Sequence, residues 1–156
     1  MGHSIAGFVA RRELLAAGTG HLSNAVVASL PQGFGFLPAT DDLYDELGDG
    51  DAPHDEFWRL SDGLARLGVE LSRGGPVAWV ETDYFGGTGE QAAMVWKNGE
   101  VISEPRKSRL GAIHHALQWL DVEKGTAEDR FDALGLGRHR HTVDWAEAAR
   151  EDTPLA

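Results

Sequence analysis

Residues Pro76–Ser103 read PVAWVETDYFGGTGEQAAMVWKNGEVIS, and this stretch decides the fold. Two apolar-rich runs, Pro76–Tyr84 and Glu90–Lys97, flank the loop Phe85–Gly89, which holds three glycines. Asn98-Gly99 is the dipeptide that most readily closes a two-residue hairpin, here into Glu100–Ser103. The three runs predict an antiparallel meander. Within the first, Glu81 and Asp83 occupy alternate positions, so they share one face about 6.6 Å apart along the strand, while Thr82 and Tyr84 point the other way. Glu90 and Gln91 open the returning strand. An acidic rim around a glycine-rich bend can grip a cation, an amine or an arginine-rich surface. The candidate partner-binding residues are therefore Glu81, Asp83, Tyr84, Phe85, Glu90 and Gln91, with Tyr84 or Phe85 as an aromatic anchor. The plainer alternative is a hairpin whose glycines permit positive φ and whose acids face water.

Upstream, Ser4–Ala10 (SIAGFVA) predicts a first strand, followed by a short helix over 11–17. Asn24–Leu30 and Gly33–Leu37 are apolar runs broken by Pro31 and Gln32 and ended by Pro38, which predicts two tightly joined strands. Thr40 precedes DDLYDEL and suits a helix N-cap, with Asp41 and Asp42 at the positive end of the dipole. From Asp55 to Ser72, Phe57, Leu60, Leu64, Leu67 and Leu71 recur at helical spacing. Gly63 and Gly68 lie inside that stripe and mark close packing, because each costs a helix about 1 kcal/mol relative to alanine.

Downstream, Ser108–Leu120 predicts a helix with Leu110, Ile113 and Leu117 on its core face, which leaves His115 and Trp119 nearly opposite. A tryptophan there needs a second cover. AEDRFDALGL and TVDWAEAAR, both with short helical character, could supply it through Phe131, Leu134 or Trp145; otherwise Trp119 is an exposed interface residue. The order of elements predicts a single α+β domain over residues 1–156, with a mainly antiparallel sheet and helices mostly on one face. Its first six elements match β-α-β-β-α-β, a ferredoxin-like core with added strands.

Charge narrows the function classes. The 156 residues carry 25 acids and 14 Lys or Arg, a net charge of −11, and residues 1–96 hold 14 of the acids against 5 of the bases. Such a chain repels phosphate backbones, so nucleic acid is not an expected partner, whereas a basic protein is. No apolar run approaches membrane-spanning length and the start lacks a secretory pattern, so a cytoplasmic protein without membrane contact is expected. The chain has no cysteine, which excludes disulfides, thiolate metal sites and cysteine nucleophiles.

Cofactor chemistry finds little footing. Neither Gly86-Gly-Thr-Gly89 nor Gly33-Phe-Gly35 fits a dinucleotide fingerprint, and no Gly-Lys-Ser/Thr triplet makes a P-loop. Residues 41–56 contain eight acids and no Lys or Arg. Asp49-Gly-Asp51 starts like a calcium loop, but the register puts Pro53 at an oxygen-ligand position and His54 where glycine is needed. What remains is an acidic segment, solvated or docking a basic protein. His139-Arg-His141 and His114-His115 could bring imidazoles together, yet Arg138 and Arg140 would repel a cation. No cofactor and no metal are expected. A serine-hydrolase elbow is absent.

The blocks MGHSIAGFVA, LPQGFGFLPATDDLYDEL, ETDYFGGTGEQAAMVWKNGE and FDALGLGRHRHT resemble those of an uncharacterised family of small bacterial proteins. In size, acidity and α+β makeup the chain is also similar to immunity proteins that neutralise toxins, a likeness of composition that implies an inhibitor of a basic partner. The residues themselves point to a non-enzymatic binding protein. Two alternatives stay open. One is a small metal-assisted hydrolase or lyase pairing these carboxylates with His114, His139 or His141; the other is a homo-oligomer subunit joined through Trp119 and Trp145.

Overall fold

The computed structural model describes residues 3–47, 57–85, 88–108 and 111–152. Six strands, β1 (Ala6–Arg11), β2 (Ala28–Ser29), β3 (Phe34–Pro38), β4 (Val77–Phe85), β5 (Thr88–Lys97) and β6 (Glu100–Ser108), form one sheet in the order β2-β3-β1-β4-β5-β6. Every neighbouring pair is antiparallel. The first four strands stand in the ferredoxin-like order, and β5 and β6 extend the β4 edge as the meander predicts. Asn98 and Gly99 both take positive φ, 54° and 81°, as a tight hairpin turn of this twist requires.

Among the described residues six α-helices accompany the sheet: α1 (Arg12–Gly18), α2 (Asp41–Leu47), α3 (Asp62–Leu71), α4 (Ala112–Gln118), α5 (Arg130–Ala133) and α6 (Thr142–Asp152). They cover both faces, not mostly one. Alternation along the central strands sorts the core: Phe8, Val77, Trp79, Met94 and Trp96 pack with Leu15, Leu43, Leu64, Leu67 and Leu71 from α1 to α3. Val9, Ala78, Val80 and Val95 pack with Ile113, Leu117, Trp145 and Ala149 from α4 and α6. The ferredoxin-like half thus has its helices on one face, while the C-terminal helices close the other. A sheet covered on both sides reads as nearly continuous apolar strands, and β1, β4 and β5 do.

Several boundaries differ from the sequence expectation. α3 starts at Asp62, capped by the Ser61 side chain accepting from the Leu64 N–H, so Phe57 and Leu60 precede the helix yet remain buried. Asn24–Leu30 supplies only the two-residue β2, and β6 runs on to Ser108 through an irregular register, with Pro105 tolerated because β6 is an edge. Leu110 lies outside the described residues. Trp119 is 47% exposed; Leu134 and Trp145 enter the core beneath α4, and Phe131 packs against it.

Gly68 shows why α3 accepts a poor helix former. A Cβ there would sit 2.7 Å from the Trp96 ring, which packs in the space that the missing side chain leaves. Gly68→Ala should therefore lower stability by up to about 2 kcal/mol in urea unfolding, an overpacking cost of roughly 1–3 kcal/mol being offset in part by a propensity gain of about 1 kcal/mol.

Candidate functional site

The β4–β5 hairpin separates the six sequence candidates into two groups. Asp83 and Glu90 are exposed and directly opposite in the ladder, so their carboxylates share one face. Neither has a hydrogen-bond or ion-pair partner among the described residues. On that face Lys107 lies opposite Ala92 in β6, and its ammonium sits 4.5 Å from the centre of the Trp58 ring. Tyr84 is half-buried and its hydroxyl accepts from the Gln91 side-chain amide at 3.0 Å. The Phe85 backbone pairs with Thr88; its side chain lies outside the described residues. Gly89 has a φ of 141°, and a Cβ there would collide with the Asp83 carbonyl oxygen, so the hairpin end depends on glycine.

Glu81 and Gln91 are not rim residues. Gln91 is buried, and its Oε1 accepts from the Ile113 N–H at 2.7 Å, supplying the first turn of α4 with the acceptor that its N-cap, Gly111, lacks. Glu81 is fully buried, 0% exposed. Its Oε2 accepts from the Trp58 N–H at 2.8 Å, and its Oε1 from the Trp79 indole at 2.8 Å and the Arg59 and Leu60 N–H groups at 3.1 and 3.2 Å. Burial raises the carboxyl above its ordinary range, opposed by the Trp79 indole and these three backbone donors. The carboxylate fixes segment 57–60 from within; it faces the interior, where no partner reaches it.

The acidic segment divides in the same way. Thr40 Oγ1 accepts from the Leu43 N–H and caps α2, with Asp41 and Asp42 exposed in the first turn. Glu46 turns back to accept from the Ser23 and Asn24 N–H groups, both at 2.6 Å, and these bonds hold its carboxyl below the usual range. Residues 48–56, including Asp49–Asp51, lie outside the described residues.

The histidines do not assemble. Among the described residues no three His, Asp or Glu side chains converge as a metal-binding group. His114 Nδ1 accepts from the Arg130 N–H at 2.9 Å, and His139 packs edge-on against Trp145 at 4.6 Å between ring centres. Trp145 is 1% exposed, so it cannot serve as a subunit contact as the homo-oligomer alternative requires. His141 instead borders an open cleft with Ser4, Thr40, Asp41, Asp42, Arg59 and Arg150. Sequence reasoning missed this gathering. Its lining comes from positions as distant as 4 and 150, joined where the Ser4 N–H bonds to the Arg140 carbonyl at 2.7 Å.

His3, also unforeseen, holds the same junction. Its Nδ1 lies 2.7 Å from Thr82 Oγ1, and its ring meets Phe131 edge-on. Thr82 Oγ1 also accepts from the Ile5 N–H at 3.0 Å, so one hydroxyl joins the His3 ring to the start of β1. Desolvation lowers the His3 pKa, the nearby carbonyls of Leu136 and His139 opposing the shift. Comparison with protein-family models, curated proteins and solved structures found no match.

The half-buried His3 and the buried Glu81 give opposite pH dependences. The lowered His3 pKa adds stability that is complete above its ordinary value of 6.5 and lost as pH falls through the folded value. Chemical unfolding between pH 8 and 5 should show a smaller loss for His3→Gln than for the wild type. For Glu81, whose folded pKa is raised, the contribution is fullest below 4.5 and declines as pH rises through the folded value. Glu81→Gln should cost about 2–3 kcal/mol at neutral pH, because an amide NH₂ then faces N–H donors. The gap to wild type should widen on acidification.

Proposed function

We propose that the protein is a non-enzymatic binding protein that captures a basic partner with the exposed end of the β4–β5 hairpin. The observation that carries this reading is the pairing of Asp83 with Glu90. Like charges directly opposite in a ladder destabilise a sheet, by an amount comparable to the roughly 0.2–1 kcal/mol that favourable cross-strand pairs contribute. These two are exposed, and the neighbouring Lys107 is turned toward Trp58. A guanidinium or ammonium inserted between them removes the repulsion and gains charge-assisted hydrogen bonds. The net charge of −11 accelerates the encounter, and salt slows it.

With Glu81 and Gln91 committed to internal bonds and Tyr84 turned to the other face, the contact set contracts to Asp83 and Glu90. Tyr84 stands on the opposite face of β4, its hydroxyl bonded to Gln91, so the two acids alone form the cation-facing surface. The inhibitor reading, in which the hairpin blocks a toxin-like basic protein sterically, is the specific form of this proposal; acidity and size support it.

The test uses nona-arginine peptide as the basic probe. Asp83→Lys with Glu90→Lys should weaken binding at least about tenfold at low salt, and the single Asp83→Lys, which makes an opposite-charge pair with Glu90, should raise stability by roughly 0.2–1 kcal/mol. Glu13→Lys with Glu70→Lys, the same charge change at exposed positions on α1 and α3, should weaken binding less than about threefold. Equal losses in the two pairs would mean that only total charge matters, and the hairpin site would be abandoned.

A further inference from the structure

Away from the acidic pair on the hairpin, a cleft of about 430 Å³ opens between α2, segment 57–60 and α6. Arg59, His141 and Arg150 border it alongside Asp41 and Asp42, while the buried Ala39 and Ala146 form apolar parts of its lining. We propose that this cleft binds a short zwitterion, an amino acid or dipeptide, whose carboxylate meets the arginines and whose ammonium meets Asp41 and Asp42. The proposal is independent of the basic-partner reading.

The positive side is prearranged. Glu81 fixes the Arg59 N–H and the Tyr44 hydroxyl donates to the Arg59 carbonyl, so the backbone that carries this guanidinium is held from both sides. Arg150 lies eight residues along α6 from Thr142, about 12 Å up the helix, so the cationic wall runs along α6 and does not end at its tip. At that tip the first helical bonds are from the Asp144 and Trp145 N–H groups to the His141 carbonyl. The N–H groups of Thr142 and Val143 precede that ladder and add positive potential to the cleft. Thr142 Oγ1 is already occupied, accepting from the Ala6 N–H at 3.1 Å.

The negative side is equally fixed. Asp41 and Asp42 sit in the first turn of α2, which Thr40 caps. Among the described residues no salt bridge joins these acids to Arg59 or Arg150, although all four border the same space. A simple anion entering the cleft meets two aspartates, and a simple cation meets two arginines. A ligand with both charges satisfies both walls. A volume of about 430 Å³ suits a molecule of dipeptide size, near the lower end of the range for small-ligand sites.

The experiment is a two-dimensional amide NMR titration of the full chain with glycylglycine, with acetate and ethylamine as single-charge probes. Glycylglycine should give saturable shifts at residues 39–42, 59 and 141–150, with a Kd at or below about 1 mM and at least tenfold tighter than either single-charge probe. Arg59→Ala and Asp42→Ala, both at exposed positions, should each weaken it at least about fivefold, whereas Glu13→Lys with Glu70→Lys should leave it unchanged. Absence of saturation up to about 20 mM, acetate or ethylamine binding as tightly as glycylglycine, or unaltered affinity in the Arg59 and Asp42 variants would overturn the proposal.

Discussion

A carboxylate held by the protein's own backbone organises one side of this molecule. Glu81 stands on the central strand β4 where an apolar residue would be expected, and three consecutive N–H groups of segment 58–60 converge on it with the Trp79 indole. Such donors cannot be left bare in a core, and Leu60 and Phe57 must reach the core from the same segment. The arrangement resolves both demands: the chain before α3 is neither helix nor strand, and the carboxylate supplies the acceptors that regular structure would have given. Segment 57–60 then places Trp58 against Lys107 on one side and Arg59 into the cleft on the other. Glu46 does the same on a smaller scale for Ser23 and Asn24. In this acidic chain, part of the acid serves as backbone ligand.

The sheet explains which elements were legible. Strands β1, β4 and β5 are rich in apolar residues, and β4 and β5 are bounded by glycine, proline or Asn-Gly, so composition and turn residues located them together with the tight turn at Asn98. The ferredoxin-like order followed from the sequence of elements. The placement of helices did not. Ile113 and Leu117 declare an apolar stripe on α4, but a stripe does not say which face of a sheet it covers. That choice depends on β4 and β5 presenting Val80 and Val95 on one side and Trp79 and Trp96 on the other, both sides needing cover. The Phe57–Leu71 periodicity misled for a related reason. Helical spacing of buried residues persists past Ser61 because Phe57 and Leu60 fill the same core, although the helix has already ended at its cap.

The candidate site was legible to the extent that facing could be inferred. Period-two alternation put Glu81 and Asp83 on one face, and the structure agrees; what alternation cannot report is where along that face the covering layer stops. It stops between them. Glu81 lies under segment 57–60 and Asp83, one step further out, is in solvent. Gln91 was misread similarly, since its burial depends on α4 arriving with an unfilled N-terminal donor. The Arg59, His141 and Arg150 cleft left no local trace at all. Its lining converges only because the chain at Ser4 runs beside His141, a long-range pairing that no window of sequence contains.

These placements bear on why exposed acids accumulate where they do. Hidden acids such as Glu81 answer to donors inside the fold, and their removal is felt as lost structure. Asp83 and Glu90 answer to nothing inside it among the described residues, and their mutual repulsion works against the hairpin that carries them. Residues that oppose stability while leaving the core untouched concentrate at binding surfaces, because selection tolerates a local cost where a partner recovers it. Total charge alone would be satisfied by acids spread over α1, α2 and α3, where Glu13, Asp45 and Glu70 already face water without standing opposite one another in a ladder. The facing of two acids across a glycine-ended hairpin is therefore a property of position, which composition alone does not set.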